Sequence, residues 1–240
     1  MDDLYGWRAR IGLIYPAPGW VMEPEFYAMA PRGVAAYTTR ISLQDVQAGE
    51  LSNIGARSLE AVKLLAQAPL DVIALGCTSG SFINGPAYER QLSKDMTALA
   101  GGIPCITTSA AVCTALNYLH IKKLTVVTPY VDEVNDRARS YLEEKGLEIM
   151  QIRGLGLAYD SEIDRQDLET VYRFTGESDV KESEAVLILC TGLRSIPILD
   201  FLEQDLGKPV ISAVQATFWN CLRIAGVQDK IRGFGSLLAV

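Results

Sequence analysis

The sequence predicts an α/β fold of two pseudo-symmetric domains, with parallel strands flanked by helices. Three observations predict it. Short apolar, β-branched runs alternate with longer helical patterns, which is how a parallel sheet covered on both faces reads in sequence. The order strand, Cys-Thr, helix, Pro, strand occurs twice. A chain of 240 residues, 49% hydrophobic and 21% charged, is long enough to bury a substantial core.

The strands come first. Residues 11–15, 72–76, 105–108, 123–128, 149–152, 185–189 and 210–212 have strand length and composition, and each ends in loop or helix-start residues. Between them, residues 53–68 carry Ile54, Leu59, Val62 and Leu65 at amphipathic spacing, and residues 134–145 carry mixed charge on a wet face. Both read as crossover helices. Further helical stretches lie at 110–116, 200–206 and 218–224.

The repeat pairs Asp71-Val-Ile-Ala-Leu-Gly-Cys77-Thr78 with Glu184-Ala-Val-Leu-Ile-Leu-Cys190-Thr191. A helix and then Pro104-Cys-Ile-Thr-Thr-Ser-Ala follow the first; residues 200–206 and then Pro209-Val-Ile-Ser-Ala-Val-Gln follow the second. Ile11-Gly-Leu-Ile-Tyr-Pro16 and Leu124-Thr-Val-Val-Thr-Pro129-Tyr130 open the two halves in matching fashion. Ligands bind beyond the carboxyl ends of strands in open parallel sheets, so both Cys-Thr corners stand where a site forms, and pseudo-symmetry turns them toward each other.

Charge narrows the ligand. A net charge of -7, from 22 Lys and Arg against 29 Asp and Glu, offers no basic footprint for nucleic acid and repels an anionic membrane surface. The apolar runs are too short to span a bilayer. The opening Met1-Asp-Asp-Leu-Tyr lacks the basic and apolar blocks of a secretory signal, which predicts a cytoplasmic protein. Five widely spaced cysteines without a C-x-x-C pair suggest neither a disulfide framework nor a zinc site, and the single histidine, His120, weakens the metal case further. A small-molecule substrate with no cofactor is the expectation.

Cys77 precedes Thr78, Ser79, Gly80 and Ser81, small residues able to present main-chain N–H groups to an anion at a helix start. That setting predicts a lowered thiol pKa. Cys190 repeats it with Thr191, Gly192 and Leu193. A lone buried cysteine ordinarily packs as a small apolar side chain; two at equivalent points of a repeat argue for chemistry. Cys105, Cys113 and Cys221 fall inside strand or helix patterns and read as core. His120 reads as a surface or capping residue near a helix end. Without a histidine or metal, two thiols on opposite faces of a substrate would themselves be acid and base, the logic of a cofactor-free racemase.

Tyr130 can donate its hydroxyl to a carboxylate or pack the sheet rim. Asp132-Glu133-Val134-Asn135 reads as a helix N-terminus whose acidic and amide side chains satisfy free N–H groups. Tyr15, Pro16 and Pro18 form a stiff corner that could wall a pocket or only turn the chain, and Gly76 leaves room for close backbone approach.

Across nearly its whole length the chain resembles the aspartate/glutamate racemase superfamily, in the branch with maleate cis-trans isomerases, ectoine-utilisation isomerase-like proteins and arylmalonate decarboxylase. The matching segments are Ile11-Gly-Leu-Ile-Tyr-Pro16, Gly76-Cys-Thr-Ser-Gly-Ser-Phe82, Thr107-Thr-Ser-Ala-Ala-Val112, Thr128-Pro-Tyr-Val-Asp-Glu-Val-Asn135, Leu189-Cys-Thr-Gly-Leu193 and Pro209-Val-Ile-Ser through Phe218-Trp219 to Ala225-Gly226. The resemblance implies two domains, residues 1–115 with 211–240 and residues 116–210, each a parallel four-stranded sheet flanked by helices, with the active site in the interdomain cleft. It implies Cys77 as thiolate and Cys190 as opposing acid, with Thr78, Ser79, Tyr130 and Thr191 around a small carboxylate or dicarboxylate, and a homo-oligomer; Pro16, from the stiff corner after the first strand, joins them as a candidate substrate-binding residue. Decarboxylase relatives carry glycine where Cys77 stands, which points this chain toward racemase or isomerase. Maleate isomerases carry Asn in the first corner, whereas this chain reads Tyr15-Pro16-Ala17-Pro18, as decarboxylases nearly do. Arylmalonate-type decarboxylation with Cys190 protonating an enediolate, and non-catalytic carboxylate binding, are the alternatives.

Overall fold

The computed structural model describes residues 2–240. A 3-10 turn (Asp2–Tyr5) leads to β1 (Ala9–Pro16), α1 (Met22–Met29), β2 (Val34–Ile41), α2 (Ala48–Leu51), α3 (Ile54–Leu65), β3 (Val72–Leu75), α4 (Thr78–Phe82), α5 (Gly85–Leu99), β4 (Cys105–Thr107) and α6 (Thr108–Tyr118). There follow β5 (Lys123–Thr128), α7 (Asp132–Glu144), β6 (Glu148–Gly154), α8 (Asp160–Ile163), α9 (Leu168–Ser178), β7 (Ala185–Ile188), a second 3-10 turn (Ile196–Ile198), α10 (Leu199–Leu206), β8 (Val210–Ser212), α11 (Ala213–Ile224) and α12 (Ser236–Ala239).

The strands form two parallel four-stranded sheets, ordered β2-β1-β3-β4 and β6-β5-β7-β8. Adding four to each strand number of the first order gives the second, so the repeat seen in sequence is a repeat of topology. In each sheet the order reverses beside the first strand, between β1 and β3 and between β5 and β7. That is the switch point at which a crevice opens beyond the strand ends.

Central strands are buried on both faces, and this is why they read as unbroken apolar runs. Residues Ile11, Leu13, Ile14, Val72, Ile73, Leu75, Val126, Val127, Val186, Leu187 and Ile188 are wholly buried. Each such side chain stabilises the fold by about 1.5–3 kcal/mol relative to an exposed one. The edge strand β2 was not among the expected strands. Its sequence, Val-Ala-Ala-Tyr-Thr-Thr-Arg-Ile, is half-exposed through most of its length, so it needs no apolar run. The third strand of the first half stops at Leu75, one residue short of the expected end, and the N–H of the following Gly76 donates to the Ile14 carbonyl at 2.8 Å. A Cβ there would lie 2.6 Å from Met22 Sδ and 2.8 Å from Leu13 Cδ1, so close approach does require glycine.

Helices α6 and α11 occupy equivalent places after the last strand of each sheet and pack against each other. Thr107 caps α6 by accepting the Ala110 N–H at 3.2 Å. The strand expected to run through residue 108 therefore stops at 107, and Thr108 begins the helix. Ser212 caps α11 through a capping box with Gln215. Helix α11 returns the chain to the first half, where Phe218 meets Phe26 of α1 edge-on at 5.0 Å. Asp229, beyond α11, pairs with Arg8 beside β1.

Buried polar contacts also join the halves. Glu25 accepts the Ser195 and Ile196 N–H groups at 2.8 and 3.2 Å. Glu89 of α5 pairs with Lys145 just after α7 at 3.1 Å. Among the described residues no helix is long and apolar enough to cross a membrane.

Candidate active site between two switch points

All seven residues singled out from the sequence line one narrow cavity. Pro16 ends β1, and Cys77, Thr78 and Ser79 stand where β3 passes into α4. Tyr130 follows β5, and Cys190 and Thr191 follow β7. The two switch points thus face each other, and each contributes one cysteine.

Cross-links between the halves hold the facing corners. The Thr191 hydroxyl donates to the Gly76 carbonyl at 3.1 Å. The Tyr15 hydroxyl lies 3.4 Å from the Thr191 carbonyl and accepts the Met22 N–H at the same distance. On the other side, Asn135 is buried and ties the Tyr130 corner. Its amide donates to the Tyr130 carbonyl at 3.2 Å, and its oxygen accepts the Thr128 hydroxyl at 2.5 Å. Asn135 was expected to satisfy free helix N–H groups; it instead fixes the loop before α7, while Asp132 and Glu133 occupy that helix's first turn.

The two thiols differ from expectation in their electrostatics. Burial pushes Cys77 up to about 12, although the Gly80 N–H and the Ser79 side chain pull the other way. Burial likewise pushes Cys190 up to about 12 against the Tyr130 hydroxyl and the Gly192 N–H. The expected thiol depression is absent because desolvation of a fully enclosed sulfur outweighs a few hydrogen-bond donors. Only Cys77 precedes a helix. Cys190 is followed by a bend through Thr191, Gly192 and Leu193, and the Gly192 N–H lies 3.3 Å from its own Sγ.

Cys105, Cys113 and Cys221 are buried away from the cavity lining. His120 is exposed beyond the end of α6, with a left-handed backbone (φ 58°). Among the described residues no cluster of three or more His, Cys, Asp or Glu side chains is arranged to hold a metal ion.

Sequence reasoning missed Leu43, Val46 and Asp160, which complete the lining. They come from the loops that follow the edge strands β2 and β6, and those loops meet where the Val46 N–H donates to the Ala158 carbonyl at 3.0 Å. The repeat held a signal for them: the segment after each second strand should approach the same site from opposite sides. Burial raises Asp160 to about 6. Asp164, behind the wall, is raised to about 7 by burial and by Asp160, against the Trp20 N–H that it accepts at 2.7 Å.

The model of the arylmalonate decarboxylase family matches residues 11–238, nearly the whole chain and both switch points. The chain belongs to the arylmalonate decarboxylase family. Among relatives in the same group, a maleate isomerase of Pseudomonas putida is 28% identical over 254 aligned positions that cover 100% of this chain and 99% of the relative. The arylmalonate decarboxylase of Bordetella bronchiseptica is 34% identical over 169 residues, covering 69% and 70%. The fold matches a Nocardia farcinica maleate cis-trans isomerase variant, with cysteine replaced by serine and a covalently bound succinylcysteine intermediate, at a TM-score of 0.91. Identity there is 24%, over 96% of this chain and 98% of the other. A member of this enzyme family with two cysteines in one cavity is placed for cysteine chemistry on a small substrate.

Proposed function

We propose that the protein is a cofactor-independent isomerase or racemase of a small carboxylic acid, using Cys77 and Cys190 as a facing pair. The observation that carries this reading is the convergence of the two thiols, one from each sheet, on the same narrow cavity. In cis-trans isomerisation, the Cys77 thiolate adds to one alkene carbon and the alkene electron pair moves to the adjacent carbon, where the carboxylate delocalises it. Rotation about the new single bond and expulsion of the Cys77 sulfur restore the double bond in the trans form. Cys190 lends its proton to the carbanion and takes it back. In racemisation one thiolate removes the α-proton and the opposing thiol supplies a proton to the other face.

Both routes build negative charge on carboxylate oxygens, and Thr78, Ser79, Tyr130 and Thr191 are the polar groups around the cavity that can stabilise it. The full-length similarity to a maleate isomerase and the succinylcysteine borne by the Nocardia protein support the addition route. Five buried free thiols suit a cytosolic setting.

A second reading is decarboxylation of a substituted malonate, with Cys190 protonating the enediolate left by loss of CO2. Leu43 and Val46, which give the cavity an apolar side, favour it together with the family match. Proton NMR in D2O with maleate, aspartate, glutamate and phenylmalonate separates the readings. Fumarate formation or loss of an amino-acid α-proton signal, abolished by Cys77→Ala and by Cys190→Ala, is the expected result. CO2 loss from phenylmalonate, stopped by Cys190→Ala alone, would establish the decarboxylase instead.

A further inference from the structure

The cavity lining is electrically one-sided. Its ionisable members are two thiols, two tyrosines and the carboxylate of Asp160, with no Lys, Arg or His. Asp160 begins α8, and among the described residues its carboxylate makes no hydrogen bond and no ion pair. The neighbouring cations stand outside the lining. Arg40 donates to the Pro16, Ala17 and Gly19 carbonyls, pairs with Glu23 and lies over the Tyr15 ring at 5.4 Å, and Arg194 stacks over Trp20 at 4.5 Å with its Nε unpartnered.

A second observation points to a ligand in the same place. The Thr78 hydroxyl, on a residue only 2% exposed, has no hydrogen-bond partner and lines this cavity. A buried hydroxyl left unpartnered costs about 1–3 kcal/mol, and the half-buried Asp160 carboxylate is partly stripped of water with no partner in its place. Both costs are offset when a ligand presents complementary groups. A carboxylate bound near Thr78 and Ser79 meets that need on one side, but a second carboxylate turned toward Asp160 meets repulsion. A protonated amine there meets an acceptor.

We propose that Asp160 is a specificity-determining residue that accepts a substrate ammonium group, so that the pocket selects amino-substituted carboxylates over plain dicarboxylates. This rests on the reading of the cavity as the site of a small carboxylic acid. The carboxylate is taken up on the Cys77 side while Asp160 takes the amine from the side of α8. Fixing both ends leaves the carbon between them exposed to the thiols.

Matched ligand pairs that differ only by the amine test this. Protection of Cys77 from iodoacetamide, read by mass spectrometry on the full chain, gives dissociation constants for aspartate against succinate and for alanine against propionate. The expected result is at least a tenfold preference for the amine-bearing member in each pair. The preference falls to near unity in Asp160→Asn and reverses in Asp160→Lys. Should either variant fail to fold, the wild-type ratios still decide. Equal or tighter binding of succinate and propionate, an unchanged ratio in Asp160→Asn, or malate gaining as much over succinate as aspartate does, would overturn the assignment, as would no protection by any of the four acids. The two-thiol reading stands or falls separately, on whether Cys77→Ala and Cys190→Ala abolish turnover.

Discussion

Cys77 and Cys190 end equivalent strands, yet the chain leaves them differently. After Cys77 it turns at once into α4, whose Gly80 N–H and Ser79 side chain favour the thiolate electrostatically without a capping hydrogen bond to the sulfur. After Cys190 it bends, and the donors to the sulfur are the Gly192 N–H and, from another strand end, the Tyr130 hydroxyl. The repeat therefore brings two thiols to one cavity, and the residues that follow each strand make the corners chemically unequal. Each sulfur has two neighbouring donors that favour its thiolate, and burial outweighs them at both. Equivalent topology supplies position, and local sequence supplies the donors around each sulfur.

The strongest way to break that comparison is to weaken each thiol in turn. Cys77→Ser and Cys190→Ser should each lower turnover by about 10²–10⁴-fold. They should differ in what accumulates. Intact-protein mass spectrometry after incubation with maleate is expected to find one covalently added substrate in Cys190→Ser and none in Cys77→Ser. Adducts in both variants would make the corners interchangeable.

The pH dependence of alkylation sharpens the same point. Both thiols are pushed up to about 12, so at neutral pH each is almost wholly protonated. Their iodoacetamide reactivity should rise about tenfold per pH unit between pH 7 and 9, because the thiolate fraction of an acid far below its pKa grows in that proportion. A plateau below pH 9 at Cys77 alone would mean that the donors of the α4 corner outweigh burial there.

Glycines behind the two corners allow a test by added bulk. Gly76→Ala drives a Cβ against Met22 and Leu13 in the core, and overpacking of this kind costs about 1–3 kcal/mol. Calorimetry should register a drop of several degrees in Tm. Gly192→Ala instead puts a Cβ 2.5 Å from Asp164 Oδ1 and 3.0 Å from Ile163, next to the cavity wall. Its expected signature is a larger loss in kcat than in stability. The smallest effect belongs to Tyr130→Phe, which removes one donor near Cys190 and should slow turnover about fivefold, as loss of about 1 kcal/mol of hydrogen bonding predicts. Steady-state kinetics should find KM little changed.

How much of this was legible in the sequence follows from burial. The seven strands read from it are those with apolar runs, and the Cys-Thr repeat marked both corners of the cavity. The edge strand β2 was hidden because its faces are half wet, and with it went the loop carrying Leu43 and Val46. Asp160 lies among Glu162, Asp164 and Arg165, a charged stretch that reads as solvent-facing, although Asp164 is fully buried. Thiol acidity was misread for a related reason. A helix start is visible in a string of small residues, whereas the depth at which a sulfur is enclosed depends on loops from the rest of the chain.

The return of α11 to the first half has a consequence for how the molecule is made. The strands β1 to β4 leave the ribosome first, but the helix that packs on α6 and α1 is synthesised after the second sheet is complete, and Asp229, the partner of Arg8, later still. Apolar surface on α6 must wait about a hundred residues for its cover, and Phe26 of α1 nearly two hundred. The second sheet, contiguous in the chain, has its strands to hand as soon as β8 emerges. Chain order and assembly order therefore run opposite: the half begun first is the half finished last, and that interval is when the nascent chain is most exposed to aggregation and most dependent on chaperones.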